Sequence, residues 1–312
     1  MLRGLEELSE TTLLFLNNIE QICWHAGANK RVDITRLAVS DVQCEIEYLR
    51  NGVERRAKEW LLLKDDVRGK PQLHVAIAFA LEALDKPAST VATGLLGHQY
   101  RIQRCNGQVC VYFPADKEAS KLRFHLHAPF ASTVARDSVR DRPENNTLME
   151  QLATLLARSL HLIRDHGLLT QDFLEVLPLL DDDISTFYEP LLQAVLQEMT
   201  ATALTPTHAK GFAPANTLVQ GSATLKDLLN DQDLNVLKSR EGVAKIAWAT
   251  NALQNSRAEK FLRSLEIPVV SGDALVNFVA MSARPQVTGR VYDKVTYRPG
   301  VSPEEIQKSF WA

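Results

Sequence analysis

Two histidines have the spacing best suited to metal chemistry in this chain. His125 and His127, in the run Phe124-His125-Leu126-His127, are two residues apart, so on a strand both imidazoles leave one face and offer two nitrogens to one ion. A zinc site needs a third and usually a fourth ligand, and no HExxH or local carboxylate motif supplies them. The pair is therefore expected to hold no stoichiometric zinc and to face solvent or line the wall of a cleft. Asp181-Asp182-Asp183 gathers three carboxylates, but between two predicted helices a solvated turn is the simpler reading. His161 and His166 lie five apart on a predicted helix, on different sides of it, and form no ligand pair.

Nucleotide and nucleophile signatures are missing. The 14 glycines never fall into GxGxxG, and Gly69-Lys70 lacks the rest of a Walker A loop. Gly94-Leu95-Leu96-Gly97-His98 suits a turn or a close backbone approach. No GxSxG elbow occurs, and Cys23, Cys44, Cys105 and Cys110 form no CxxC, so they read as buried reduced thiols. The isolated chain is expected neither to bind nor to hydrolyse ATP.

Charge is more informative. Six basic residues (Lys117, Lys121, Arg123, Arg136, Arg140, Arg142) stand against three acids between 117 and 142, whereas 165–198 holds eight acids and no Lys or Arg. The basic stretch suits a phosphate; the acidic one suits a basic partner or the basic stretch itself. Over the whole chain the charges balance, 35 Lys and Arg against 38 Asp and Glu, which argues against nucleic acid and anionic membranes as partners.

The elements that carry these residues follow from pattern. At 312 residues, 45% hydrophobic and 23% charged, the chain has the composition of a globular protein of about two domains. The longest nearly apolar run, Leu73–Leu81, is too short to span a bilayer, and the acidic N-terminus has no export signal, so a cytoplasmic location is expected. Short strands are predicted at Val32–Val39, Cys44–Leu49, Lys58–Leu63, Leu73–Leu81, Gln108–Phe113 and Leu122–His127, with a type I′ hairpin at Asn51-Gly52 and a helix over Thr11–Asn18. From residue 146 the period becomes helical, with Thr147 and Glu150 as a capping box and Gly167 as the stop. Helices are also predicted at Gln171–Leu177 and at Thr186–Thr200 behind Ser185.

Further on, Ala244–Ala249 and Ile267–Val270 read as strands, and Ser256 with Glu259 as a capping box opening a helix to Leu265. Asp273–Met281 reads as a helix, and Ser302-Pro303-Glu304-Glu305 opens another, which suggests a chain that continues in its parent protein. The expected fold class is α+β or mixed: a sheet domain over 1–141, a helical segment over 142–204 packing on it, a linker over 205–222 and a small α/β unit over 223–312.

The stretch Val109–Leu156 resembles the region that follows the ATPase module in sacsin-like proteins of the GHKL ATPase superfamily. Phe113-Pro114, His127, Phe130-Ala131-Ser132-Thr133, Arg136, and Asn145 or Asn146 before a long helix carry the resemblance. The opening Thr11–Trp24 is similar to the segment leading out of the ATPase domain in the same proteins. The resemblance implies a mixed α/β transducer that presents a basic side chain to the γ-phosphate of a nucleotide held elsewhere, because nothing in this chain resembles the DxGxG of the ATPase. It implies Arg136 and Arg140 as phosphate-sensing residues, with Lys121 and Arg123 as fallback contacts, and no cofactor on this chain alone. ATP and magnesium belong to an upstream or separately encoded ATPase domain, the implied partner, alongside a possible protein client. The expected function is a non-catalytic transducer and interaction region in a chaperone-like or defence-type machine. The alternatives are a stand-alone protein- or nucleic-acid-binding module and an enzyme using His125 and His127.

Overall fold

Alternating apolar residues between 21 and 83 build five consecutive antiparallel strands: β1 (Gln21–Ala26), β2 (Lys30–Ala38), β3 (Gln43–Arg50), β4 (Glu54–Val67) and β5 (Lys70–Ala83). The computed structural model describes residues 8, 11–26, 30–85, 95–239 and 246–270. Between β3 and β4, Asn51 and Gly52 both take positive φ, 54° and 68°, as a primed turn requires, with the exposed Val53 completing the loop.

The far edge of β5 is long enough for two partners. Strand β6 (Tyr100–Gln103) pairs with Ala80–Ala83. After β7 (Val109–Val111) and β8 (Phe113–Pro114), β9 (His125–His127) pairs with Ala76–Ala78 and carries β7 parallel on its outer side. The result is a nine-stranded, mostly antiparallel sheet.

Both faces of the sheet's centre are buried, which is why β4 and β5 read as almost continuous apolar runs. Leu61, Leu63, Val75, Ile77, Phe79 and Leu81 face one core, completed by the helices. Trp60, Leu62, Ala76, Ala78 and Ala80 face the other, covered by Leu13–Leu16. The predicted helix at Thr11–Asn18 is instead a string of tight turns, with Leu14 N bonded to Thr11 O and Leu16 N to Leu13 O. Leu13, Leu14 and Phe15 are all fully buried, so their spacing reflects enclosure on every side rather than a helical face.

Helix α1 (Pro143–Asp165) lays Leu148, Leu152, Leu155, Leu156 and Ile163 on the first core. It begins one turn earlier than the Thr147 capping box suggests: Pro143 takes the first helical position, where its missing N–H costs nothing, and Arg142 is the N-cap. It ends at Gly167, φ 72°, with Leu168 N bonded to Ile163 O and Gly167 N to Arg164 O, the paired bonds of a Schellman motif. The single turn α2 (Gln171–Leu174) and α3 (Glu189–Ala201) are shorter than predicted, and α3 follows Tyr188, not Ser185, as its N-cap.

Residues 205–222 carry the pair β10 (Thr205–Pro206) and β11 (Phe212–Ala213), followed by β12 (Leu218–Val219); Ala215 and Leu218 join the first core. Beyond α4 (Ala223–Leu228) and α5 (Asp231–Ser239), β13 (Ala247–Trp248) pairs parallel with β12, and Gln220 makes a parallel bridge to Val269 after α6 (Arg257–Ser264). The parallel pairing thus has helices in its crossovers, and β12 lies within the stretch 205–222 that reads as a linker. Ser256 caps α6 by accepting from Glu259 N. The helices predicted at 273–281 and from Ser302 lie outside the described residues. Among the described residues no helix is long and apolar enough to cross a membrane.

Candidate functional site

Between β9 and α1 the chain makes a braced projection that carries Arg136 at its tip. Ser132 bridges Val139, Thr133 N bonds to Ser138 O at 3.1 Å, and Arg136 N to Thr133 O at 3.0 Å. The base is closed by Asn145, fully buried in the first turn of α1. Its Oδ1 accepts from Ala131 N at 2.8 Å, and its Nδ2 donates to Ala131 O and Arg140 O at 3.0 and 2.7 Å. Asn146 is exposed, so only Asn145 plays this part.

The side of the projection is anchored as firmly. Asp137 accepts from Thr133 Oγ1 at 2.7 Å and pairs with Lys117 at 2.6 Å; the Lys117 and Thr133 bonds hold its carboxyl down at about 2. Glu118 accepts from Val139 N and from the Tyr188 hydroxyl, and burial followed by that bond raises the tyrosine's pKa. At the tip, Val134 is 93% exposed and Arg136 sits in the left-handed region at φ 58°. Arg136 and Arg140 are both exposed, and neither makes an ion pair among the described residues. The tip therefore presents an exposed cationic side chain on a strained backbone.

Lys121 and Arg123 are brought together elsewhere, on the wall of a cleft of about 400 Å³ lined by residues 106–108, 114–116 and 118–123 and by Asp182; Arg136 and Arg140 do not line it. Thus the structure separates the two pairs of basic candidates.

His125 and His127 do leave the same face of β9, toward Trp60 and Phe15. The expectation that they face solvent or line the wall of a cleft is corrected for His127, which is fully buried and stacked on Phe15 with ring centroids 5.3 Å apart. His125 is 4% exposed and lines a second cleft, with Arg50, Arg56 and Lys58 near its rim. Gln108 N donates to His125 Nδ1 at 2.8 Å, and Tyr112 N to His127 Nδ1 at 3.2 Å, so one nitrogen of each ring is already engaged. Burial, then nearby Lys58, lowers the His125 pKa to about 4; burial, then His74, lowers that of His127 to about 3. The third member, His74, was legible in principle: it shares the even-numbered face of β5 with Ala76, Ala78 and Ala80, whose small side chains leave room for rings. Its centroid lies 4.7 Å from that of His127. Among the described residues no three His, Cys, Asp or Glu side chains are grouped to hold a metal.

Comparison with protein families, characterised proteins and solved structures finds no match to this chain. Its site residues must therefore be weighed on geometry. Cys105 lies 3.8 Å from His125 Nε2, but burial pushes its thiol up to about 11, the reverse of an activated nucleophile. Cys44 and Cys110 are buried free thiols as expected, whereas Cys23 is exposed.

Two further charged groups serve the fold. Asp182, read as part of a solvated turn, is a buried ion-pair partner: Arg257 binds both its oxygens and also donates to the Glu175 and Leu177 carbonyls. Lys226 is 4% exposed, its amine lowered to about 8 by burial, and it donates to Ala249 O and Asn251 Oδ1. Neither partner is near in sequence, so no local motif announces them.

Proposed function

We propose that this chain is the transducer of a sacsin-like GHKL ATPase, non-catalytic alone, which passes the nucleotide state of a separate ATPase domain to a chaperone-like or defence-type activity. The observation that carries this reading is the braced projection with Arg136 exposed at its tip and unpaired among the described residues. Holding a non-glycine residue at positive φ costs about 1 kcal/mol, a strain retained where the surroundings over-determine it and the side chain is used. A guanidinium fixed in this way has little to reorganise when a phosphoryl group carried by a partner domain comes within reach, and preorganisation is what makes such contacts effective. The exposed Val134 beside it supplies an apolar contact for the same partner. Magnesium and ATP would be held wholly by that partner.

The test is ATP turnover by this chain together with its ATPase domain. Arg136→Gly is the sharpest variant, because glycine accepts the backbone conformation while the whole arginine side chain, guanidinium included, is lost. Turnover should fall about 100-fold or more with an unchanged melting temperature. Unchanged turnover in Arg136→Gly and Arg140→Ala alike would remove the projection from the mechanism.

A further inference from the structure

The cleft that holds Lys121 and Arg123 has the makings of a site of its own. Arg123 Nε is buried without a hydrogen-bond partner, and among the described residues neither Arg123 nor Lys121 makes an ion pair. A buried donor left unmade is costly, more so on a charged group, so a guanidinium in this position favours any acceptor that reaches it. Lys121 adds a second cation, held at φ 60° where a lysine is strained.

The acids on the same wall do not pair with these cations, although Glu118, bonded only to neutral groups, keeps its charge. Glu118 is committed to Tyr188 and Val139 N, and Asp182 to Arg257 and Leu179 N. Asp116 alone remains, exposed, as an acceptor. Two cations without ion-pair partners among the described residues and a volume of about 400 Å³ together match a small ligand rather than a protein surface.

We infer that the cleft between residues 106–108 and 114–123 binds a small organic oxyanion, a carboxylate or a phosphate ester, through the Lys121 ammonium and the Arg123 guanidinium. The guanidinium fork suits the paired oxygens of either group, and Asp116 can accept from a hydroxyl or amine on the same molecule. This site needs no ATPase partner, so it stands or falls separately from the role of Arg136.

Calorimetric titration of the whole chain at fixed ionic strength, with inorganic pyrophosphate in one arm and citrate in the other, tests it and separates the two chemistries. Saturable binding of at least one probe, with a dissociation constant below about 1 mM, is expected. Lys121→Gly, which suits the backbone, and Arg123→Gln should each weaken it about tenfold or more. Lys210→Gly removes the same charge at another positive-φ lysine, φ 61°, that does not line the cleft, and should leave affinity unchanged. No saturable binding of either probe up to about 10 mM would overturn the inference. So would equal losses in Lys210→Gly, which would reveal general attraction to charge, or binding that survives removal of both cleft cations.

Discussion

Asn145 donates to the carbonyl of Arg140 at 2.7 Å while holding both backbone groups of Ala131, so one buried amide closes the whole 131–140 projection. Asn145→Ala would leave Ala131 N and Arg140 O without partners, while Ala131 O keeps its bond from Arg140 N, and should cost about 2–3 kcal/mol, with faster amide exchange at Ala131 and through the projection. Asn145→Asp keeps the acceptor for Ala131 N but loses both donations, and should be nearly as damaging. Stability equal to wild type in both variants, read by urea unfolding, would show that the projection is held by other means.

Acid should loosen the underside of the sheet. His74, His125 and His127 all have pKa values pushed below the ordinary 6.5, so they are neutral when folded. As the pH falls from 6.5 toward about 4, the unfolded chain takes up protons that the folded chain refuses, and stability falls with it. His125 and His127 should each contribute up to about 1.4 kcal/mol per pH unit in that window, levelling off as the folded state itself titrates. Unfolding midpoints at pH 7.5 and 5 measure the loss. His127→Asn, which keeps an acceptor for Tyr112 N and does not titrate there, should make the decline shallower.

Gly97 is held against the end of α1. Its N–H donates to His166 O at 2.8 Å, and a Cβ placed on it would stand 2.2 Å from Gly167 O. Since both partners are backbone, Gly97→Ala should cost about 1–3 kcal/mol, seen as a lower melting temperature. Gly167→Ala has room for a Cβ but suffers from φ 72°, and should cost about 1–2 kcal/mol.

Local features were legible because their physics is local. Alternation, the Asn51-Gly52 turn, the Gly167 stop and the Ser256 cap depend on residues within a few positions of one another, and each reappears in the structure. Thr11–Asn18 was misread because its burial is set by the sheet beneath it, not by its own period. The His74 to His127 contact, the Asn145 clamp and the Arg257 to Asp182 pair were hidden for the same reason: each needs two segments whose meeting only the fold decides. Arg136 was singled out by resemblance, but no pattern in the sequence revealed its bracing by Lys117, Asp137 and Glu118.

The Arg257 to Asp182 pair should prove costly to break from one side. Its side chains are only 13% and 8% exposed, so Arg257→Met leaves a buried carboxylate uncompensated and should cost about 3–5 kcal/mol. Adding Asp182→Asn should restore part of that loss. A double-mutant cycle with coupling near zero would contradict the pairing.

The shared edge of β5 also sets an order of events. Strands β1–β5 follow one another with few residues between them and can assemble as soon as residues 21–83 exist, since local contacts close cheaply. β9, which covers Ala76–Ala78, arrives more than forty residues later in the chain. During synthesis the nascent meander therefore presents an apolar, hydrogen-bond-hungry margin to its surroundings, and this is where a chaperone would be needed and where mispairing with a second nascent chain would begin.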